Sequence, residues 1–195
     1  MFEVLKVLKA MTSRLRILVG IILLAVVGGA DEVPWYVGAS GGLLLPGSGN
    51  SLARAAEATA RAGFYATDAL AWELEGACAP NASTRAGHDA LSGVGARGLF
   101  HLTGIEEVDL LFGCERFDPF VTFGAAARFG SRHAFADGSH RTALGPTAGI
   151  GAFYHLTDRL DLRVDAQAML GCDSPCGMLY SVCAGLQWNF GGSGE

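Results

Sequence analysis

Between Leu160 and Leu170 the chain alternates without a break. Leu160, Leu162, Val164, Ala166, Ala168 and Leu170 take one parity, and Asp161, Arg163, Asp165, Gln167 and Met169 take the other. A period of two with faces this well separated predicts a β-strand with one dry side. The pattern recurs near the C-terminus, where Tyr180, Val182, Ala184, Leu186, Trp188 and Phe190 oppose Ser181, Cys183, Gly185, Gln187 and Asn189. Leu70, Trp72 and Leu74 likewise oppose Ala71, Glu73 and Glu75. With smaller residues, the same rule runs through 35–43, 94–102, 121–129 and 148–156.

One segment pulls two ways. Residues 52–66 are alanine-rich, and alanine favours a helix. Yet Glu57, Thr59, Arg61, Gly63 and Tyr65 share one parity, against Ala56, Ala58, Ala60, Ala62 and Phe64. The alternation decides for a strand. Eight strands are predicted, near 35–45, 53–66, 70–79, 90–103, 119–131, 143–156, 160–170 and 178–190.

The connections alternate in kind. Thr67-Asp68 and Thr157-Asp158 sit in two similar stretches, each marking a tight turn between adjacent strands. Segments 46–52, 80–89, 132–142 and 171–177 are longer and richer in turn-forming and polar residues. The linker 104–118 is long on the short-turn side and departs from this scheme. Short turns at one end and longer loops at the other are the layout of an up-and-down barrel in an outer membrane.

Composition bears on which face meets what. Half of the 195 residues are apolar and 28 are glycine. Beyond residue 30, no apolar run reaches the roughly 18–20 residues that a spanning helix needs. The apolar content therefore lies along one face of each strand. The opposite face carries few charges: Glu57, Glu73, Glu75, Asp161 and Asp165 against Arg61, Arg97, Arg128 and Arg163. Interleaved with Gly, Ser and Thr, this nearly balanced set reads as an enclosed polar network, because buried ions have to pair. Arg163→Leu is expected to weaken it. The dry face then points to lipid. Trp35, Phe64, Trp72, Phe100, Tyr154, Trp188 and Phe190 fall on that face near the short-turn ends, where a headgroup-level aromatic girdle belongs. A soluble periplasmic ligand-binding barrel, the competing architecture, requires the opposite orientation.

Residues 1–30 read as a secretory signal, and 31–195 as the barrel domain. Lys6, Lys9, Arg14 and Arg16 precede the apolar stretch from Ile17 to Val27, and Gly28-Gly29-Ala30 offers a small-residue cleavage site. Translation starts at Met1 or at Met11. Cleavage removes four of the 14 basic residues and one of the 19 acidic ones, leaving ten arginines, no lysine and a net charge of −8. Nucleic acid is thereby an unexpected partner, since phosphate binding relies on clustered Lys and Arg.

The remaining motifs carry little chemistry. Cys172 and Cys176 are spaced to close a small disulfide loop, while Cys78, Cys114 and Cys183 define no pairing. No metal site and no cofactor are expected. Gly93-x-Gly95-x-x-Gly98 matches a dinucleotide fingerprint by letter, but it obeys strand alternation and opens no helix. Asn81-Ala82-Ser83 is a glycosylation sequon by letter only. His88, His133 and His140 fall in outer loops near Asp89, Ser131 and Asp137, the basis of an alternative reading as a lipid A-modifying enzyme. His101 and His155 are expected inside at the other end, in structural hydrogen bonds. Eight strands enclose an interior that side chains mostly fill. Gly93, Gly95, Gly149 and Gly151 leave the alternative of a path for small apolar molecules.

In this order, behind a signal, the motifs resemble the eight-stranded outer-membrane β-barrel family typified by the OmpA transmembrane domain, OmpX, OmpW and opacity-type proteins. The resemblance rests on Trp35-Tyr36-Val37-Gly38-Ala39-Ser40-Gly41-Gly42, on Asp118-Pro119-Phe120-Val121-Thr122-Phe123-Gly124, and on Phe153 to Asp165. Gly185, Trp188 and Phe190 resemble the C-terminal signature that such proteins present to the barrel-assembly machinery, although Gly-Gly-Ser-Gly-Glu follows here. What the resemblance implies is a non-enzymatic structural or surface-interaction protein. Its partners would be outer-membrane lipid and lipopolysaccharide, the assembly machinery during biogenesis, and an unidentified surface partner. An OmpW-like channel remains the alternative within the family.

Overall fold

A computed structural model describes residues 34–47, 53–84, 87–103, 116–130, 142–171 and 177–190. They form eight strands: β1 (Trp35–Pro46), β2 (Ala55–Thr67), β3 (Leu70–Thr84), β4 (Gly87–His101), β5 (Phe117–Phe129), β6 (Thr142–His155), β7 (Leu160–Leu170) and β8 (Met178–Phe190). Each strand pairs antiparallel with its neighbour in sequence, and β1 pairs with β8 to close the barrel. Closure leaves no sheet edge.

The orientation is unambiguous. Leu162, Val164 and Trp188 are 40%, 47% and 44% exposed, whereas Asp161, Arg163 and Asp165 are 1%, 2% and 3% exposed. The exterior is apolar and the lumen polar, the reverse of a water-soluble barrel. This overturns the alternative of a soluble ligand-binding barrel, which needs Leu162 and Val164 inside.

Strand β2 follows its alternation and not its alanine content. Ala55, Glu57, Thr59 and Arg61 are buried, while Ala56, Ala58 and Ala60 face outward. The two Thr-Asp turns share one device. Thr67 Oγ1 accepts from the Leu70 backbone N–H, and Thr157 Oγ1 from that of Leu160, each at 3.1 Å. A threonine hydroxyl can satisfy a turn amide in this way, and that fixes the short connections. One outer connection differs from expectation. The β3–β4 ladder continues through a bulge between Ala79 and Ala82 as far as Thr84 opposite Gly87, so most of 80–89 is paired strand.

Inside, the side chains form three layers. An aromatic cluster of Tyr36, Leu99, Phe120 and Phe153, with Tyr65 against it, fills the short-turn end. An aliphatic cluster of Leu44, Ala79, Leu91, Met169 and Leu179 fills the loop end. Charged groups lie between them.

Candidate functional site

The central layer is built by strand parity. Arg61 (β2), Glu73 and Glu75 (β3), Arg97 (β4), and Arg163 and Asp165 (β7) all project inward from the middle of their strands, and all are buried. Glu73 accepts from Arg97 Nε at 2.8 Å, Arg163 Nη1 at 2.5 Å and the Tyr36 hydroxyl at 3.0 Å. Glu75 accepts from Arg61 Nε at 2.9 Å and Arg97 Nη2 at 2.6 Å. Asp165 accepts from Arg163 Nε at 3.0 Å and Arg61 Nη2 at 3.2 Å. Three guanidiniums thus face three carboxylates, and each arginine bridges at least two acids. The planar fork of arginine makes this double use possible.

A second pair lies beside this group. Arg128 Nη1 donates to Glu57 Oε1 at 2.5 Å, and the Ser181 hydroxyl bonds the other oxygen of Glu57. The Arg163 guanidinium also sits over two rings, 5.0 Å from the Phe120 centroid and 5.2 Å from that of Phe153. Cation–π contact there joins the charged layer to the aromatic one.

Of the nine residues expected in the network, eight meet in these two charge-matched groups. Asp161 stands apart from the arginines. It accepts from Asn189 Nδ2 at 2.7 Å and lies 2.7 Å from His155 Nδ1, at the short-turn rim. Asp118, absent from the expected set, makes the equivalent pair with His101 Nδ1 at 2.5 Å. Its parity with Phe120 and Thr122 was the available signal. Tyr36, Ser40, Gln167 and Gln187 also join the bonding. Arg61 Nη1 donates to Ser40 Oγ and Arg97 Nη1 to Gln167 Oε1, both at 2.6 Å.

The glycines that suggested a passage each stand close to a neighbouring group. A Cβ at Gly93 would meet the Arg128 side chain, at Gly149 Thr122 Oγ1, and at Gly151 the Phe120 ring. At Gly95 the nearest atom would be Ala126 Cβ, 3.3 Å away. One cavity between the charged and aliphatic layers, lined by residues such as Glu75, Arg128 and Met169, has a volume of about 10 Å³. That is at the lower limit for a single water.

The seven girdle aromatics all lie on the outer face. Phe64, Trp72, Phe100, Tyr154 and Trp188 are exposed. Trp35 stacks on Phe190 at 3.9 Å between centroids, across the β1–β8 closure. Gly185 of the C-terminal signature faces the lumen, where a Cβ would collide with Ala39 O and Ser40 of β1.

Some expectations fall outside the described residues: the signal segment, Cys114, the Cys172–Cys176 pair, His133 and His140, and the side chains of Asn81 and His88. Among the described residues, Cys78 and Cys183 are free thiols, and no group of three ligating side chains is placed to hold a metal. Nor does a hydrolase triad form there. The Thr103 hydroxyl bonds Asp118, while His101 Nε2 has no hydrogen-bond partner.

No family model and no curated protein matches this sequence. Solved structures do match. Neisserial surface protein A superposes with a TM-score of 0.60 at 15% identity, covering 82% of this chain and 98% of that one. Outer membrane protein W of E. coli gives 0.52 at 12% identity, covering 82% and 99%. A major outer membrane protein from Thermus thermophilus gives 0.51 at 13%, covering 80% and 99%. At such identities the likeness is one of fold. That fold is the eight-stranded barrel of outer-membrane proteins.

Proposed function

Taking the outer-membrane barrel fold as premise, we propose that this chain is a resident of the bacterial outer membrane, exported by a cleaved signal. We read its role as structural or surface-interacting and non-enzymatic. The observation that carries this reading is the filled lumen. A charge-matched arginine–carboxylate layer, its arginines bonded to carboxylates of other strands, packs the lumen between an aromatic and an aliphatic layer. Such an interior transports little and holds the wall rigid, so the outer loops are left as the part that meets partners. Lipid and lipopolysaccharide surround the girdled exterior, and Gly185, Trp188 and Phe190 serve recognition by the assembly machinery. The partner at the surface is not nucleic acid, given the acidic mature chain.

Two measurements test this. Fractionation of expressing cells should place the protein with the outer membrane and release it only with detergent. In planar bilayers the purified protein should give no steady conductance; reproducible open-channel steps would replace the plug with a pore. A mass shift of lipid A on expression would restore the enzyme alternative.

A further inference from the structure

We propose that the short-turn rim carries a proton switch, in which charging His155 tightens the hold on β6, β7 and β8. The switch goes beyond the role read above, and under that reading it faces the periplasm. Its parts form a circuit around the mouth of the barrel. His101 of β4 pairs with Asp118 of β5, and His155 of β6 pairs with Asp161 of β7. Asn189 of β8 donates to the second oxygen of Asp161 at 2.7 Å. Gln187 Nε2 then bridges Asn189 Oδ1 and the Tyr65 hydroxyl, at 3.1 and 3.2 Å. The Tyr65 ring of β2 returns the circuit to His101, with 5.6 Å between centroids. Bases and acids thus alternate over four neighbouring strands before the amides take over.

The two imidazoles differ in their access to water. The His155 side chain is 42% exposed, whereas His101 and Asp161 are buried. Asp161 stands directly opposite His155 in the β6–β7 register, and no arginine bonds it among the described residues. A buried carboxylate needs a counter-charge, and the His155 imidazolium supplies one at 2.7 Å. Asp118 of β5 adds a second attraction to the same ring. The other charged groups near this rim, Arg116, Asp158 and Arg159, are exposed, where water and salt screen them. The folded barrel therefore binds the His155 proton more tightly than the unfolded chain does, the Asp161 bond being the main cause. By linkage, the added stability is present below the usual histidine value. It is lost as the pH climbs past the point where the folded ring releases its proton. What loosens then is local. The 156–159 turn closes through the Leu156 and Thr157 amides on Leu160 O, and the end of β8 is held by Asn189 N on Arg159 O at 2.8 Å.

Hydrogen–deuterium exchange of the full-length folded barrel in detergent micelles tests this, with rim protection corrected for the intrinsic pH dependence of exchange. In wild type, peptides covering 154–163 and 186–190 should be several-fold better protected at about pH 5.5 than at about pH 8.5, on either side of the usual histidine value. His155→Gln and Asp161→Asn should each abolish that difference, with the heat-modifiable gel band reporting that each variant is folded. Should neither variant fold, the His155 ring resonances of the wild type decide, and a proton lost at or below the value of a free histidine overturns the proposal. So does equal rim protection at the two pH values in wild type, a difference shared equally by the middle of β3, or one that persists in folded His155→Gln. Because the measurement is made in detergent, such a failure leaves the outer-membrane reading intact.

Discussion

Arg163 Nη1 lies 2.5 Å from Glu73 Oε2 although the two residues are 90 positions apart in the chain. One bond therefore ties β7 to β3 straight across the lumen, between strands that share no ladder. Eight strands held edge to edge become a cross-braced tube through contacts of this kind.

Removing the brace should be costly. Arg163→Leu strands Glu73 and Asp165 with one guanidinium fewer and removes the cation–π contacts to Phe120 and Phe153. Breaking a buried pair in this way costs about 3–5 kcal/mol. The gel transition from folded to unfolded mobility should move to a clearly lower temperature in detergent. An unchanged transition would take Arg163 out of the network.

The Glu57–Arg128 pair allows a sharper comparison. Arg128→Met alone leaves a buried carboxylate bonded only by Ser181, whereas Arg128→Met with Glu57→Leu leaves none. The single variant should lose about 3–5 kcal/mol and the double variant should recover most of it, because an apolar replacement of a buried pair is often neutral. A urea titration into lipid vesicles measures both. Additive losses would contradict the assignment.

The outer face has its own test. Val164 is exposed near the middle of β7. Val164→Arg should destabilise the barrel in bilayers by about 2–4 kcal/mol, the cost of a guanidinium facing hydrocarbon. In water the same change would be nearly neutral. A vesicle refolding titration that shows no loss would mean that this face does not meet lipid.

The closure between β1 and β8 depends on close backbone approach. A Cβ at Gly185 would overlap Ala39 O and the Ser40 backbone, and one at Gly42 would overlap Val182 O. Gly185→Ala should lower the fraction of folded, heat-modifiable protein. Gly41→Ala is the tolerated control, since the nearest atom to a Cβ there would be 4.0 Å away.

Much of this was legible in the sequence, because a strand in a barrel has only two sides. Parity alone placed Arg163 inside and Val164 outside. It also overruled the helical preference of Ala56, Ala58 and Ala60, since Glu57 and Arg61 between them have nowhere dry and unpaired to go. Parity does not say how far up the lumen a residue sits. Parity therefore groups Asp161 with the arginines although it lies at the rim beside His155, and it does not single out Asp118 where the fifth strand begins. The glycines misled for a related reason. A missing side chain looks like space until the neighbour that fills it is known, as Phe120 does at Gly151 and Arg128 at Gly93. Bulge-tolerant pairing through Pro80 and Asn81 was equally hidden, since turn-forming residues there suggested a loop.

The packed lumen also dictates an order of events in making the molecule. Six charged groups in the central layer arrive hydrated, and in the finished tube they lie bonded to one another between two apolar clusters. Their water has to drain while a lateral slit is still open, and the slit that shuts by joining the two ends of the chain is the one between Trp35–Pro46 and Met178–Phe190. Zipping that slit is thus a drying step as much as a pairing step.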